Sequence, residues 1–272
     1  QGSLGILEIC AEKYASARAD INAKIANPTI LTFAGDHGVA EEGVSAFPQE
    51  VTTQMLANFA NGGAAINVLA RHVGAQLKVI DIGVKGDCLS PKIINRKIAR
   101  GTANFAKTPA MTDEQCLSAL LVGAEIAKIA IAEGSTLLGT GDMGIANTTP
   151  SAAIYSILLD IPAENIAGRG AGINDDTLLK KIKVIKGAAL KYGKHKDYPL
   201  KVLSSAGGFE IAGICGAILQ SAALKIPVVI DGFISGSAAL VAIKLKKEVL
   251  DYCFFSPLSA EAGHATALKA MG

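Results

Sequence analysis

The residues able to do chemistry in this chain recur in one setting, a short apolar run followed at once by small and polar residues. Ile30 to Ala34 runs into Gly35-Asp36-His37-Gly38, and Leu77 to Ile82 closes on Asp81-Ile82-Gly83. Thr136 to Leu138 leads into Gly139-Thr140-Gly141-Asp142-Met143-Gly144, and Val202-Leu203 into Ser204-Ser205-Ala206-Gly207-Gly208. Pro227 to Ile230 leads into Asp231-Gly232-Phe233. A single junction of this kind is ordinary turn chemistry. Repeated along the chain, these junctions predict a crevice at one sheet edge where backbone closely approaches a ligand. Asp36, His37, Asp142 and Asp231 stand at those strand ends, where the ligand of an open parallel sheet lies.

A second candidate lies at Gly168, Gly170 and Gly172, just ahead of a helical stretch. Free N–H groups before a helix favour an anion, and Arg169 or Lys181 can add positive charge, so this turn reads as a phosphate cradle. The competing reading is a flexible connector. Gly139, Gly141 and Gly144 also spell GxGxxG after a strand, the dinucleotide fingerprint. Its context is poor: Asn147-Thr148-Thr149-Pro150 delays the expected helix, and Ala152 to Leu159 reads as helix where a second strand is needed. A nicotinamide-dependent oxidoreductase is therefore a remote alternative.

The elements that must position these residues alternate. The apolar runs above suit buried strands in length and β-branching. Between them, Thr112 to Glu133 carries a capping box (Thr112 with Gln115) and ends at Gly134, and further helices are predicted over 175–192 and 209–224. Such alternation implies an α/β fold, a mainly parallel sheet flanked by helices and Rossmann-like. The segment Ile6 to Asn27 reads as a helix ended by Pro28, which divides the chain into an N-terminal helical segment (1–28) and an α/β domain (29–272). A small helical appendage drawn from the chain ends is expected beside the sheet.

Half of the 272 residues are hydrophobic, enough for a large core, and the 18% charged argues against disorder. A net charge of +2 gives no reason to expect a nucleic-acid or membrane-surface partner. The five cysteines are scattered without any CxxC, and the four histidines lack metal-site spacing, which predicts reduced thiols, no metal and a cytoplasmic protein.

Six strings are specific: FAGDHGVAEEGVSAFPQEVTTQML, GGAAINVLARHVGA, GDMGIANTTPSAA, GRGAGI, GGFEIAGICGA and VVIDGFISGSAAL. In this order, and nearly end to end, the chain resembles the nicotinate-nucleotide:5,6-dimethylbenzimidazole phosphoribosyltransferases, which make the lower-ligand nucleotide of vitamin B12-type cofactors. The resemblance implies that nicotinate mononucleotide gives up nicotinate to a ring nitrogen of dimethylbenzimidazole. Configuration at C1 of the ribose inverts, without metal or cofactor, and α-ribazole phosphate forms. Catalysis then rests on holding two rings on opposite faces of one ribose, with a base taking the nucleophile's proton.

By the same resemblance, Asp142, Met143 and Gly144 match the turn beside the acceptor base and ribose, and Gly170 a backbone contact to the phosphate. Lys181 matches an active-site lysine that orients a carboxylate or the phosphate; Asp142 and Lys181 are the expected catalytic residues. Asp231, Gly232 and Ser259 match the mononucleotide pocket, and Gly208 the crevice. Phe47 and Met55 fall at the slot for the flat base, where an aromatic ring and a thioether suit a planar ligand; both also read as ordinary core residues. Asp36 and His37 are expected to hold the crevice in shape. A homodimer is implied.

Two departures stand out. Many members have Glu where this chain has Asp142, and members usually run on to a segment close to RLGEGTGA whose glutamate is the family's proposed general base. The sequence ends at Met271-Gly272, before that segment, and its start is short by a similar comparison. The expectation is that the natural protein is longer. The alternative is a non-catalytic or partner-dependent subunit, paired with a paralogue in a heterodimer that activates phenols.

Overall fold

The computed structural model describes every residue except 1, 257, 260, 262 and 272. Six strands, β1 (Thr29–Gly35), β2 (Gln76–Gly83), β3 (Ile93–Asn95), β4 (Leu138–Met143), β5 (Val228–Ile230) and β6 (Cys253–Phe255), form one sheet. Every pair is parallel and the spatial order is β3-β2-β1-β4-β5-β6. The chain builds outward from β1 to β3, then returns to β4 and builds the other way. At that reversal the connections leaving β1 and β4 part to opposite faces, and a crevice opens between them.

Helices cover the sheet unequally. Following α1 (Ile6–Arg18), α2 (Glu50–Ala60) and α3 (Ala65–His72) lie over β1 and β2 on one face. Leu56, Phe59 and Ala60 bury there against Ala34, Val79 and Val84. α4 (Asp113–Ala132), α5 (Thr148–Leu159), α6 (Ala163–Ile166), α7 (Asp175–Tyr192), α8 (Pro199–Ala206), α9 (Phe209–Ala223), α10 (Phe233–Leu245) and α11 (His264–Met271) complete the fold. α9 spans β1, β2, β4 and β5 on the opposite face, with α4 against its back. Their backbones nearly touch: a Cβ at Gly123 would meet the Gly213 carbonyl, and one at Gly216 the Leu120 carbonyl. α4 is long and apolar enough to cross a bilayer by length and composition alone. Here it is a core helix, started by the Thr112–Gln115 capping box and followed by Gly134 at φ +98.

Several sequence expectations need correction. Val202-Leu203 is not a strand but the middle of α8, where Pro199 at the first turn pre-sets helical φ. The strand expected at Thr136 to Leu138 instead runs Leu138–Met143, so Gly139 and Gly141 are strand residues and not turn residues. α5 begins at Thr148, since Pro150 falls in its first turn where no N–H is required. The N-terminal helix stops at Arg18 with Ala19 left-handed, well before Pro28. β3 and β6, three residues each, are too short to carry a periodic signal. The chain ends pack apart: α1 against Leu250 and Cys253 through Lys13, α11 against α5, α6 and α10.

Candidate active site

The reversal point collects most of the predicted residues. β1 delivers Asp36 and His37, both buried. Asp36 Oδ2 accepts from the Lys85 N–H at 2.8 Å, and the His37 carbonyl accepts from Gln49 Nε2 at 2.6 Å, which ties this turn to the start of α2. The His37 side chain turns inward, its Nε2 2.7 Å from Glu210 Oε1, with both residues fully buried. Glu210 lies in the first turn of α9, where the helix end favours a negative charge. Burial pulls the His37 imidazole down; Glu210, with Asp36 and Asp142 beyond it, outweighs this and the net shift is upward.

β4 delivers Asp142 and Met143 to opposite faces of the sheet end. The Asp142 carboxylate accepts from Asn147 Nδ2 at 2.9 Å. Burial first, then the charges of Glu210 and Asp231, push its pKa up to about 7 against the Asn147 bond and His37. Met143 packs instead with the α2–α3 layer beside Met55. There a cleft of about 560 Å³ opens, lined by Met55, Phe59, Ile66, Asp142, Met143 and Asp231 among others. Gly139 and Gly141 leave its β4 wall bare; a side chain at Gly141 would start 2.7 Å from Thr32 Oγ1. A smooth apolar wall facing two thioethers suits a planar ring.

On the other side of the 142–148 turn lies a smaller cleft of about 130 Å³, lined by Ser45, Gly144 to Thr148, Arg169 and Gly170. Lys181 reaches it from α7 while almost wholly buried, its Nζ donating to Thr148 Oγ1 at 2.8 Å and to the Gly168 carbonyl at 2.9 Å. Burial lowers the Lys181 ammonium to about 8, with Glu261 opposing. Gly170 holds φ +52, and its N–H donates to Glu261 Oε1 at 2.7 Å. The turn thus holds a carboxylate on a backbone N–H. Arg169 is committed elsewhere, to the Ile173 carbonyl and to Asp175.

Asp231 stands at the open rim, its N–H donating to Thr140 Oγ1 at 3.2 Å. Surrounding protein raises its carboxyl, opposed by the Gly232 N–H and by His264. Gly232 approaches Ser259, whose N–H donates to His264 Nδ1 at 2.8 Å. Burial lowers the His264 imidazole, with Asp231 opposing.

The structure therefore brings Met55, Asp142, Met143 and Asp231 to one cleft, and Gly144 and Gly170, with Lys181 beneath, to the other. Gly208 sits behind both, close enough to His37 and Glu210 that no Cβ fits. Phe47 is 49% exposed and lines neither cleft. Sequence reasoning missed Glu210, Asn147, His264 and Glu261. Glu210 carried a usable signal, a lone carboxylate within the apolar run Phe209 to Ala223. The GxGxxG reading fails here: two of its glycines are strand residues of β4, whereas a dinucleotide turn follows β1 in this strand order.

Comparison with known proteins supplies the family. The phosphoribosyltransferase family model matches residues 1–272. The nicotinate-nucleotide–dimethylbenzimidazole phosphoribosyltransferase of Chlorobium chlorochromatii is 53% identical over 273 residues, covering 100% of this chain and 77% of the relative. The enzyme of that name from Geobacter sulfurreducens is 52% identical with the same coverage. The crystal structure of CobT from Thermus thermophilus superposes with a TM-score of 0.96 at 42% identity, covering 100% of this chain and 81% of that one. A parallel sheet with its crevice at the β1/β4 reversal, the six strings in order and identity above half along the whole chain agree, and the chain belongs to the nicotinate-nucleotide–dimethylbenzimidazole phosphoribosyltransferase family.

Proposed function

We propose that this chain transfers the phosphoribosyl group of nicotinate mononucleotide to 5,6-dimethylbenzimidazole or a related flat aromatic base, releasing nicotinate and forming α-ribazole phosphate. The observation that carries this reading is the pair of unlike clefts flanking one turn, an apolar slot at Asp142–Met143 and an anion-gripping turn at Gly170. Names of the relatives point the same way.

In this reading the base lies in the slot against the bare β4 wall, and the phosphate replaces the Glu261 carboxylate on the Gly170 N–H. Lys181 adds positive charge beneath the phosphate. The acceptor nitrogen attacks C1 of the ribose as the C1–N bond to nicotinate breaks, with the bonding pair returning to the cationic nicotinate ring. The second ring nitrogen then loses its proton, and Asp142, held near neutrality, accepts it. Because little covalent work falls to the protein, most of the rate comes from alignment.

Family membership supports a homodimer, and five free cysteines without a disulfide support a reducing, cytoplasmic setting. Light scattering that returns a monomer at micromolar concentration removes the dimer. The reaction itself is tested by chromatography with mass detection, using nicotinate mononucleotide with dimethylbenzimidazole, adenine or phenol. Nicotinate release that depends on an acceptor and is matched by an α-nucleotide supports the transferase. Absence of release with every acceptor overturns it.

A further inference from the structure

We propose that Glu261 is a specificity-determining residue: its carboxylate occupies the turn at Gly168 and Gly170 as a built-in competitor, and gives way to a phosphate but not to a carboxylate ligand. The inference rests on the phosphate role given to that turn above and names what regulates it. Glu261 lies between β6 and α11, 91 residues from Gly170 in the chain, yet its Oε1 accepts from the Gly170 N–H at 2.7 Å. Gly168 has no room for a side chain, since a Cβ there would fall on Glu261 Oε2.

A closed set of bonds aims this carboxylate. The Glu261 N–H donates to Ser259 Oγ at 3.1 Å, the Ser259 N–H to His264 Nδ1 at 2.8 Å, and the His264 N–H to the Glu261 carbonyl at 3.0 Å. His264 opens α11, which packs on α5, α6 and α10, so the direction of Glu261 is fixed by the core.

The match is nevertheless incomplete on both sides. Glu261 Oε2 is buried without a hydrogen-bond partner among the described residues, a costly state for a charged oxygen. Lys181 Nζ stands 3.8 Å from where a Gly170 side chain would begin. It directs two of an ammonium's three donors to neutral oxygens, Thr148 Oγ1 and the Gly168 carbonyl. Glu261 therefore satisfies the Gly170 N–H while a buried cation beside it still lacks an anion on its third donor. A phosphate monoester, with a larger charge and three acceptor oxygens, can take the Gly170 N–H and that donor together. A carboxylate ligand brings no oxygen that Glu261 lacks, and Glu261 is tethered in place, so such a ligand does not displace it. Phosphate does, at an apparent affinity reduced by the fraction of time that the turn stands open.

The sign of one substitution gives the test. Calorimetric titration of the full chain with inorganic phosphate reads the competition without turnover. Glu261→Ala removes the competitor and is expected to tighten phosphate about tenfold, the factor for a turn that stands open about a tenth of the time. A side chain that merely braced the turn would loosen phosphate when cut away. Acetate gives a second reading: it should weaken phosphate binding in Glu261→Ala, where it replaces the lost carboxylate, and leave the unaltered chain unmoved. Glu261→Gln keeps the shape and loses the charge, so it should tighten phosphate in the same direction, and it decides if the alanine variant does not fold. Phosphate affinity that is unchanged or weaker in the folded variants overturns the proposal. So does an equal response to acetate in Glu261→Ala and the unaltered chain, or a failure of every chain to bind phosphate. Tightened phosphate in a chain that releases no nicotinate would discard the transferase reading alone, and unmoved phosphate affinity in an active chain would discard the competitor alone.

Discussion

The pH dependence of kcat/KM at low nicotinate mononucleotide should be a narrow bell with limbs set by half-buried Asp142 and buried Lys181. In the proposed reaction Asp142 acts ionised, and its pKa of about 7 makes activity fall tenfold per unit on the acid side. In the same proposal Lys181 acts as the ammonium, and its value of about 8 brings a matching fall on the alkaline side. Between them, near pH 7.5, about 60% of the enzyme carries both groups in the working state, by the two-ionisation relation. Lys181→Met is the decisive perturbation, since methionine fills similar buried space without charge. It removes donors from Thr148 Oγ1 and the Gly168 carbonyl and takes the cation away from the proposed phosphate site. Charge-assisted bonds of about 1.5–3 kcal/mol convert to a loss of roughly 10- to 150-fold in kcat/KM, carried by KM for the nucleotide. The alkaline limb should vanish with it. Initial rates of nicotinate release from pH 5.5 to 10 at a fixed saturating acceptor measure both effects. Rates that stay level to pH 10 in the unaltered chain, or an alkaline limb that survives in Lys181→Met, refute the reasoning.

Other outcomes follow from single features. Asp142 is raised, so the folded state holds its proton more tightly than the unfolded chain; stability from this group is full below about pH 4 and is lost as pH rises through about 7. Asp142→Asn should lack that loss, and its urea-derived stability relative to the unaltered chain should grow by about 4 kcal/mol from pH 4 to pH 8, where parallel curves would contradict the shift. Gly170→Ala places a side chain at φ +52 and 3.0 Å from Thr148 Oγ1, costing about 1 kcal/mol and raising KM for the nucleotide; an unchanged KM would dissociate this turn from the phosphate. Gly123→Ala drives a methyl group into the Gly213 carbonyl and should cost about 1–3 kcal/mol, seen as a lower Tm with KM unaffected, and a full Tm would mean that α4 and α9 can separate without penalty.

Much of the site was written locally. The capping box at Thr112, the apolar run of β1 and the glycine-rich turns are patterns within a few residues, and each marks an element or a close approach by its own chemistry. The glycine turn at Gly168 to Gly172 was legible for the same reason, because left-handed backbone at Gly170 and Gly172 is a local property. Ordered strings along the whole chain pointed to the family, and the comparisons place it there.

Short elements and pairings across the chain were not legible that way. Val202-Leu203 is apolar enough for a strand, and its packing among α4, α5, α7 and α10, with Pro199 opening the turn, makes it helix. Gly139 and Gly141 looked like turn residues until pairing with β1 made them the bare wall of a cleft. His37 and Glu210 stand 173 residues apart in the chain and 2.7 Å apart in space. The sequence by itself therefore determined which residue types could do chemistry, and where the chain must turn, because those follow from side-chain chemistry and local backbone freedom. Tertiary structure alone decided which of them share a site, and what charge each carries there. A pKa depends on burial and on neighbours, and those come from elements far away along the chain.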